Sequence, residues 1–188
     1  FIWHFAPMEK WAPPAVGVFL PQQILLLLPD MKTIKDLNPS EVWNNFYLLT
    51  RQPRPSKHEE KVRAFLLEWG REHDVTTFTD KTGNVIMRVP ATPGYENRPG
   101  VILQGHMDMV PQKNSDVCHD FLTDPVRTRI EGEWVKATGT TLGADNGLGV
   151  ALALSVAEDK TACHGPLEIL VTYDEETGMT GARALEPG

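Results

Sequence analysis

Cysteine is almost absent from this chain. Cys118 and Cys163 are the only two, too few for a disulfide framework. Each is followed by a histidine, but no compact ligand spacing joins the two pairs, so they make no zinc-finger pattern. A reducing, cytoplasmic setting suits such a chain. Basic charge is also short: 18 lysines and arginines stand against 25 aspartates and glutamates, a net charge of −7. That excludes the basic stripe needed to neutralise phosphates, and with it nucleic acid as a partner. It also argues against an anionic membrane surface. Long apolar runs are missing as well. Ile24–Leu28 is only five residues, far below the ~20 that cross a bilayer. The wider stretch from Val16 is broken by Gly17, Pro21, Gln22 and Gln23 and lacks the flanks of a secretory signal.

What is present suits one globular domain or most of one. The first thirty residues stand apart. Pro7, Pro13, Pro14, Pro21 and Pro29 interrupt any helix there, position 1 is not methionine, and Met31-Lys-Thr-Ile looks like a better start. Residues 1–30 are therefore expected to be an unrelated or disordered extension, with the domain proper over 31–188. Asn38-Pro39-Ser40-Glu41 predicts a helix start with Asn38 as cap, followed by an apolar face of Val42, Trp43, Phe46, Tyr47 and Leu49. Ser56-Lys57-His58-Glu59 reads as a capping box, and Val62, Phe65, Leu66 and Trp69 continue at helical spacing to about His73. His58 is expected to be exposed. Val75–Thr79 and Asn84–Val89 read as strands around Asp80-Lys81-Thr82-Gly83. Strand–helix alternation follows, so the residues predict an α/β domain with helices packed on a mixed sheet.

Three later segments carry the chemistry. Val101–Val110 (VILQGHMDMV) is an apolar run ending in His106 and Asp108. Residues two apart share a face, so the histidine can ligate a metal while the aspartate holds its other ring nitrogen; a core histidine beside a turn acid fits the same letters. Asp145 sits between Gly143 and Gly147 ahead of a helix expected over Asn146–Glu158; alone it reads as an N-cap. Leu167–Tyr173 is a second apolar run, closed by Asp174-Glu175-Glu176. Acids there can simply favour a helix N-terminus, but three in a row repel, and a divalent cation relieves that. Together these segments set a histidine and carboxylates at the ends of strands, the usual ligand crevice of an α/β sheet. Nitrogen and carboxylate donors without thiolate suit Zn²⁺, with Co²⁺ or Mn²⁺ as substitutes. A further carboxylate can serve as general base in metal-assisted hydrolysis.

Gly105-His106-Met107-Asp108-Met109-Val110-Pro111, Gly143-Ala144-Asp145-Asn146-Gly147 and Asp174-Glu175-Glu176-Thr177-Gly178 resemble the motifs of the M20 metallopeptidases. Within that family the wording is most similar to the aminoacyl-histidine dipeptidases, from about Leu37 to Gly188. The resemblance implies a three-layer α/β/α catalytic domain with a mixed, mostly parallel sheet. It implies two zinc ions: His106 ligates one, Glu176 the other, and Asp145 bridges them. It makes Asp108 the residue that orients His106, and Glu175 the general base that activates the attacking water. A cis peptide is implied after Asp145. The substrates would be Xaa-His and other dipeptides. Two further ligands of the family pattern, an aspartate and a distant histidine, have no match in this chain, nor does the lid domain that often carries a homodimer interface. The reading is therefore the N-terminal part of a catalytic domain, with weak zinc binding and impaired activity alone. Another M20 activity, as an acylamino-acid deacylase or tripeptidase, and a non-catalytic metal-binding remnant are the alternatives.

Overall fold

The computed structural model describes Thr33–Glu186; the extension expected over residues 1–30 lies outside them, as does the boundary at Met31. After a 3₁₀ turn at Ile34–Asp36 come helices α1 (Ser40–Thr50) and α2 (Glu60–Glu72), then strands β1 (Thr76–Thr79), β2 (Val85–Val89) and β3 (Val101–His106). The hairpin β4 (Thr128–Glu131) and β5 (Trp134–Ala137) precedes helix α3 (Ala144–Glu158), strand β6 (Leu167–Thr172) and two one-turn helices, α4 (Glu175–Gly178) and α5 (Thr180–Arg183). Among the described residues no helix is long and apolar enough to cross a membrane.

The four-stranded sheet runs in the order β1-β2-β6-β3, with β4 and β5 forming a separate pair. The layered α/β organisation stands, but the mostly parallel sheet does not. β1 with β2, β2 with β6 and β4 with β5 are all antiparallel, and only β3 with β6 is parallel. The reason is connection length. Asp80–Asn84 is too short to carry the chain back to the start of a parallel neighbour, whereas β3 reaches β6 through α3, a crossover long enough to do so.

The helices were legible from their apolar spacing. Val42, Phe46 and Leu49 of α1 and Val62, Leu66 and Trp69 of α2 are buried, each set covering one stripe of a helix. All but Val42 join Val150 and Leu154 of α3 and Val85, Met87, Ile169 and Val171 of the sheet in one core. Contact between sheet and α3 is close at Gly105, where an added Cβ would lie 3.1 Å from Val150 Cγ2.

Both expected caps are different. α1 begins at Ser40, behind a cis Asn38–Pro39 bond, and no side chain caps it; the Asn38 carbonyl instead accepts the indole N–H of Trp43 at 3.2 Å. α2 begins at Glu60, and Ser56 does not cap it. The chain passes through a left-handed residue at Lys57 (φ 70), and both Ser56 and Glu59 are drawn inward to the site. His58 is exposed, as expected.

Candidate metal centre

The single parallel ladder builds this site. Parallel strands end at the same edge, and the register sets His106 beside Thr172. The β3 ending His106-Met107-Asp108 and the β6 ending Asp174-Glu175-Glu176 therefore emerge side by side. Helix α3 starts at the same edge. Its N-cap, Gly143, is left-handed (φ 69), and Asp145 departs from helical geometry (φ −82, ψ 113). Asp145 makes no capping bond. Its carboxylate is instead presented outward, 83% exposed. The Asp145–Asn146 peptide is cis, as the resemblance implied.

One ligand atom each from His106, Asp145 and Glu176 lie within 4.8 Å of one another, a grouping that could hold a metal ion. His106 is buried. Its Nε2 faces Asp145 Oδ1 at 3.0 Å and Glu175 Oε2 at 3.8 Å. Its Nδ1 lies 3.2 Å from Asp108 Oδ1, which holds a proton on that nitrogen and leaves Nε2 as the one a metal ion would take once it displaces the proton shared with Asp145. Burial lowers the His106 pKa, but hydrogen bonds with Asp108 and Asp145 and the charges of Asp108 and Glu175 outweigh it and raise it overall. Burial also raises the Glu176 carboxyl, as do the charges of Asp145, Glu175 and Asp108, with His106 opposing them. Among the described residues no lysine or arginine pairs with Asp145, Glu175 or Glu176. An imidazole and two carboxylates converging without a basic partner form a donor set that fits a divalent cation such as zinc.

Asp108 is the hub behind them. It is fully buried and accepts four bonds. Oδ1 takes His106 Nδ1 and the Glu175 amide (3.0 Å), and Oδ2 takes the Ser56 hydroxyl (2.8 Å) and the Glu176 amide (3.1 Å). Burial pushes the Asp108 carboxyl up, but these partners overcome it and hold it down at about 2. One ionised aspartate thus ties the β3 end to the β6 end.

Four supporting residues escaped the sequence reading: Ser56, which bonds Asp108, and Arg54, Asn84 and Glu59. Arg54 is buried; Nη1 donates to the carbonyls of Met107 (3.1 Å) and Asp108 (3.0 Å), and Nη2 to that of Gly143 (2.6 Å). It joins the segment carrying His106 to the segment carrying Asp145. Asn84 accepts the Tyr173 amide at 2.9 Å and donates to the Gly181 carbonyl at 3.0 Å, fixing the chain on both sides of the acidic turn. Glu59 accepts the Asp174 amide at 3.1 Å. Only Ser56 and Glu59 left a signal, the Ser-x-x-Glu spacing, and it pointed to a cap. Cys118 and Cys163 are free and exposed and belong to neither metal-competent cluster found among the described residues.

The model of peptidase family M20/M25/M40 matches residues 102–188, which hold all three segments of the candidate site. The cytosol non-specific dipeptidase of Escherichia coli K12 is 49% identical over 156 residues, 83% of this chain and 32% of that protein. The chain belongs to the M20 family. It spans about a third of the length of the dipeptidase relatives it matches. The crystal structure of the aminoacylhistidine dipeptidase from Vibrio alginolyticus superposes with a TM-score of 0.81 at 52% identity, covering 84% of this chain and 32% of that one. A Staphylococcus aureus tripeptidase shares the fold at a TM-score of 0.65, with 21% identity over 80% of this chain and 40% of that one.

Proposed function

We propose that this chain is the metal-binding portion of a zinc-dependent dipeptidase that hydrolyses Xaa-His and other dipeptides in the cytoplasm. The observation that carries the reading is the convergence of His106, Asp145 and Glu176 on one point, with Asp108 behind the histidine and Glu175 beside it. The relatives named for dipeptide hydrolysis, at about half identity, support the substrate class.

His106, Asp145 and Glu176 would hold the zinc. Bound zinc supplies Lewis acidity, polarising a carbonyl oxygen and making water more acidic. Asp108 keeps the His106 ring in place, its Nδ1 engaged and its Nε2 free to ligate. Glu175 is the only acid of the cluster left over. Its side chain is 36% exposed, so it meets both the site and incoming water. It takes a proton from the attacking water and returns it to the leaving amine as the peptide bond breaks. Three ligand side chains fill the protein set of one zinc and cannot fill that of two. A second zinc is therefore expected to bind weakly, and turnover by this chain alone to be impaired.

The test has two parts. Zinc should raise the melting temperature of the chain, and His106→Ala, Asp145→Ala and Glu176→Ala should each abolish the rise. In a full-length protein carrying this segment, Glu175→Gln should keep the zinc and lose at least about a hundredfold in turnover of an Xaa-His dipeptide. Absence of any zinc effect refutes the ligand set, and an unchanged rate in Glu175→Gln refutes the base.

A further inference from the structure

Glu59 is fully buried although it directly precedes a surface-starting helix. Its Oε1 accepts the backbone amides of Lys57 (3.0 Å) and Asp174 (3.1 Å). Its Oε2 has no hydrogen-bond partner. Asp108 and Asp174 are buried beside it, and one carboxylate oxygen of each of the three acids lies within 4.8 Å of the others. The two aspartates are otherwise well served. Asp108 accepts four bonds, and Asp174 accepts the hydroxyls of Thr177 and Thr180, one on each oxygen. Carboxylates this close in a dry place do not all ionise, and an ionised oxygen without a donor is the costliest member of such a set. The acid with the orphan oxygen is the one that gains from holding a proton.

We propose that Glu59 is a positioning residue that holds a proton up to near-neutral pH, turning Oε2–H toward the Asp108 and Asp174 carboxylates while Oε1 holds the Asp174 amide. The proton replaces a repulsion with an attraction and lets Asp108 remain ionised against His106. Asp174 is the left-handed residue (φ 51) that turns the chain from β6 into α4, so Glu59 sets where Glu175 and Glu176 stand. That consequence for function rests on the roles proposed above for those two residues. The ionisable groups around Glu59 are Asp108 beyond β3, Asp174 and Tyr173 beyond β6, and Lys57, Glu60 and Arg63 along its own segment. Burial is the main influence and the Lys57 and Asp174 amides oppose it; the balance pushes the carboxyl up to about 7. A cation is a poorer occupant, because hard cations draw on many free oxygens and those of Asp108 are already taken.

Glu59→Gln keeps the shape and offers N–H where the acid offers O–H; Glu59→Ala removes both. At pH 6 the Gln variant should unfold with an equilibrium constant within about threefold of wild type, and the Ala variant should be at least about 30-fold worse. The folded pKa lies above the unfolded one, so the stability this proton lends is complete below the unfolded value and is lost as pH rises through about 7. Wild type should therefore lose ground to Glu59→Gln between pH 5 and pH 8. Infrared difference spectra should show the carbonyl band of a neutral carboxylic acid in wild type at pH 6, fading above pH 7 and missing from Glu59→Gln. The Asp174 amide should stay protected from hydrogen exchange in the Gln variant and open in the Ala variant. A Gln variant as unstable as Ala, or no acid band, overturns the proposal. So does stabilisation of wild type but not Glu59→Gln by Ca²⁺, which would make the occupant a cation. None of these readouts needs zinc or turnover, so failure here is distinct from failure of the dipeptidase reading.

Discussion

Replacing Arg54 with methionine tests how far the metal centre hangs on one buried guanidinium. Arg54 makes three hydrogen bonds to carbonyls, of Met107, Asp108 and Gly143, at 2.6–3.1 Å. A bond from a charged donor contributes about 1.5–3 kcal/mol, so the three together are worth roughly 4.5–9 kcal/mol. Burial opposes this, bringing the Arg54 pKa down from its ordinary value to about 10. At about 1.4 kcal/mol per pKa unit, that disfavours the charged form by roughly 3 kcal/mol. Nε has no partner, which argues for the lower half of the range. Methionine fills much of the volume but donates nothing, so the expected loss is about 2–6 kcal/mol. That is a large share of the ~5–15 kcal/mol that holds a domain together. Urea unfolding followed by circular dichroism reads it directly, and the zinc-induced rise in melting temperature should shrink in the same variant. Arg54→Lys keeps the charge but presents it as a point rather than a fork, and should fall between wild type and methionine. If Arg54→Met is within about 1 kcal/mol of wild type, the three bonds do not hold the two ligand segments together.

Asp108→Asn should flatten the acid limb of the stability curve. The folded pKa of Asp108, about 2, lies below its ordinary 3.8, so its contribution of about 2 kcal/mol is present above pH 4 and lost as pH falls toward 2; an unchanged limb in urea titrations across that window would contradict this. Gly105→Ala puts a Cβ 2.7 Å from Asn146 Oδ1. It should cost about 1–3 kcal/mol by overpacking and weaken zinc binding through the neighbouring Asp145; an alanine variant that melts and binds as wild type would show that the helix simply shifts. Ser56→Ala removes the 2.8 Å bond to Asp108 and should cost about 1–3 kcal/mol, whereas a mere loop serine would cost nothing measurable by the same unfolding assay.

The candidate ligands stood out because their chemistry is written locally: an apolar strand ending in His-x-Asp, an aspartate among glycines, a triplet of acids after a second strand. The groups that hold those ligands were not, because each acts across the chain. Ser56 and Glu59 show the difference. Their spacing satisfies the rule for a helix cap, and nothing nearby in sequence forbids it. The competing offers come from 52 residues away for Ser56, at Asp108, and from 115 residues away for Glu59, at the Asp174 amide. A buried carboxylate and a buried amide gain more from those partners than an exposed helix end gains from a cap. Arg54 left no pattern at all, since its partners are backbone carbonyls that any residue supplies.

Strand direction was illegible for a related reason. Apolar runs such as Val101–Leu103 and Leu167–Val171 suit a buried strand of either sense. Only the short links at Asp80–Asn84 and Gly132–Glu133 bear on direction, and they argue for the antiparallel pairs found between β1 and β2 and between β4 and β5. The error nonetheless left the centre untouched, because the site depends on one ladder rather than on the sheet as a whole. His106 and Glu176 follow β3 and β6, the sole parallel neighbours. Were that pair antiparallel, the two ends would lie on opposite edges, roughly 20 Å apart for six-residue strands, and no rearrangement of side chains could bring imidazole and carboxylate to one ion.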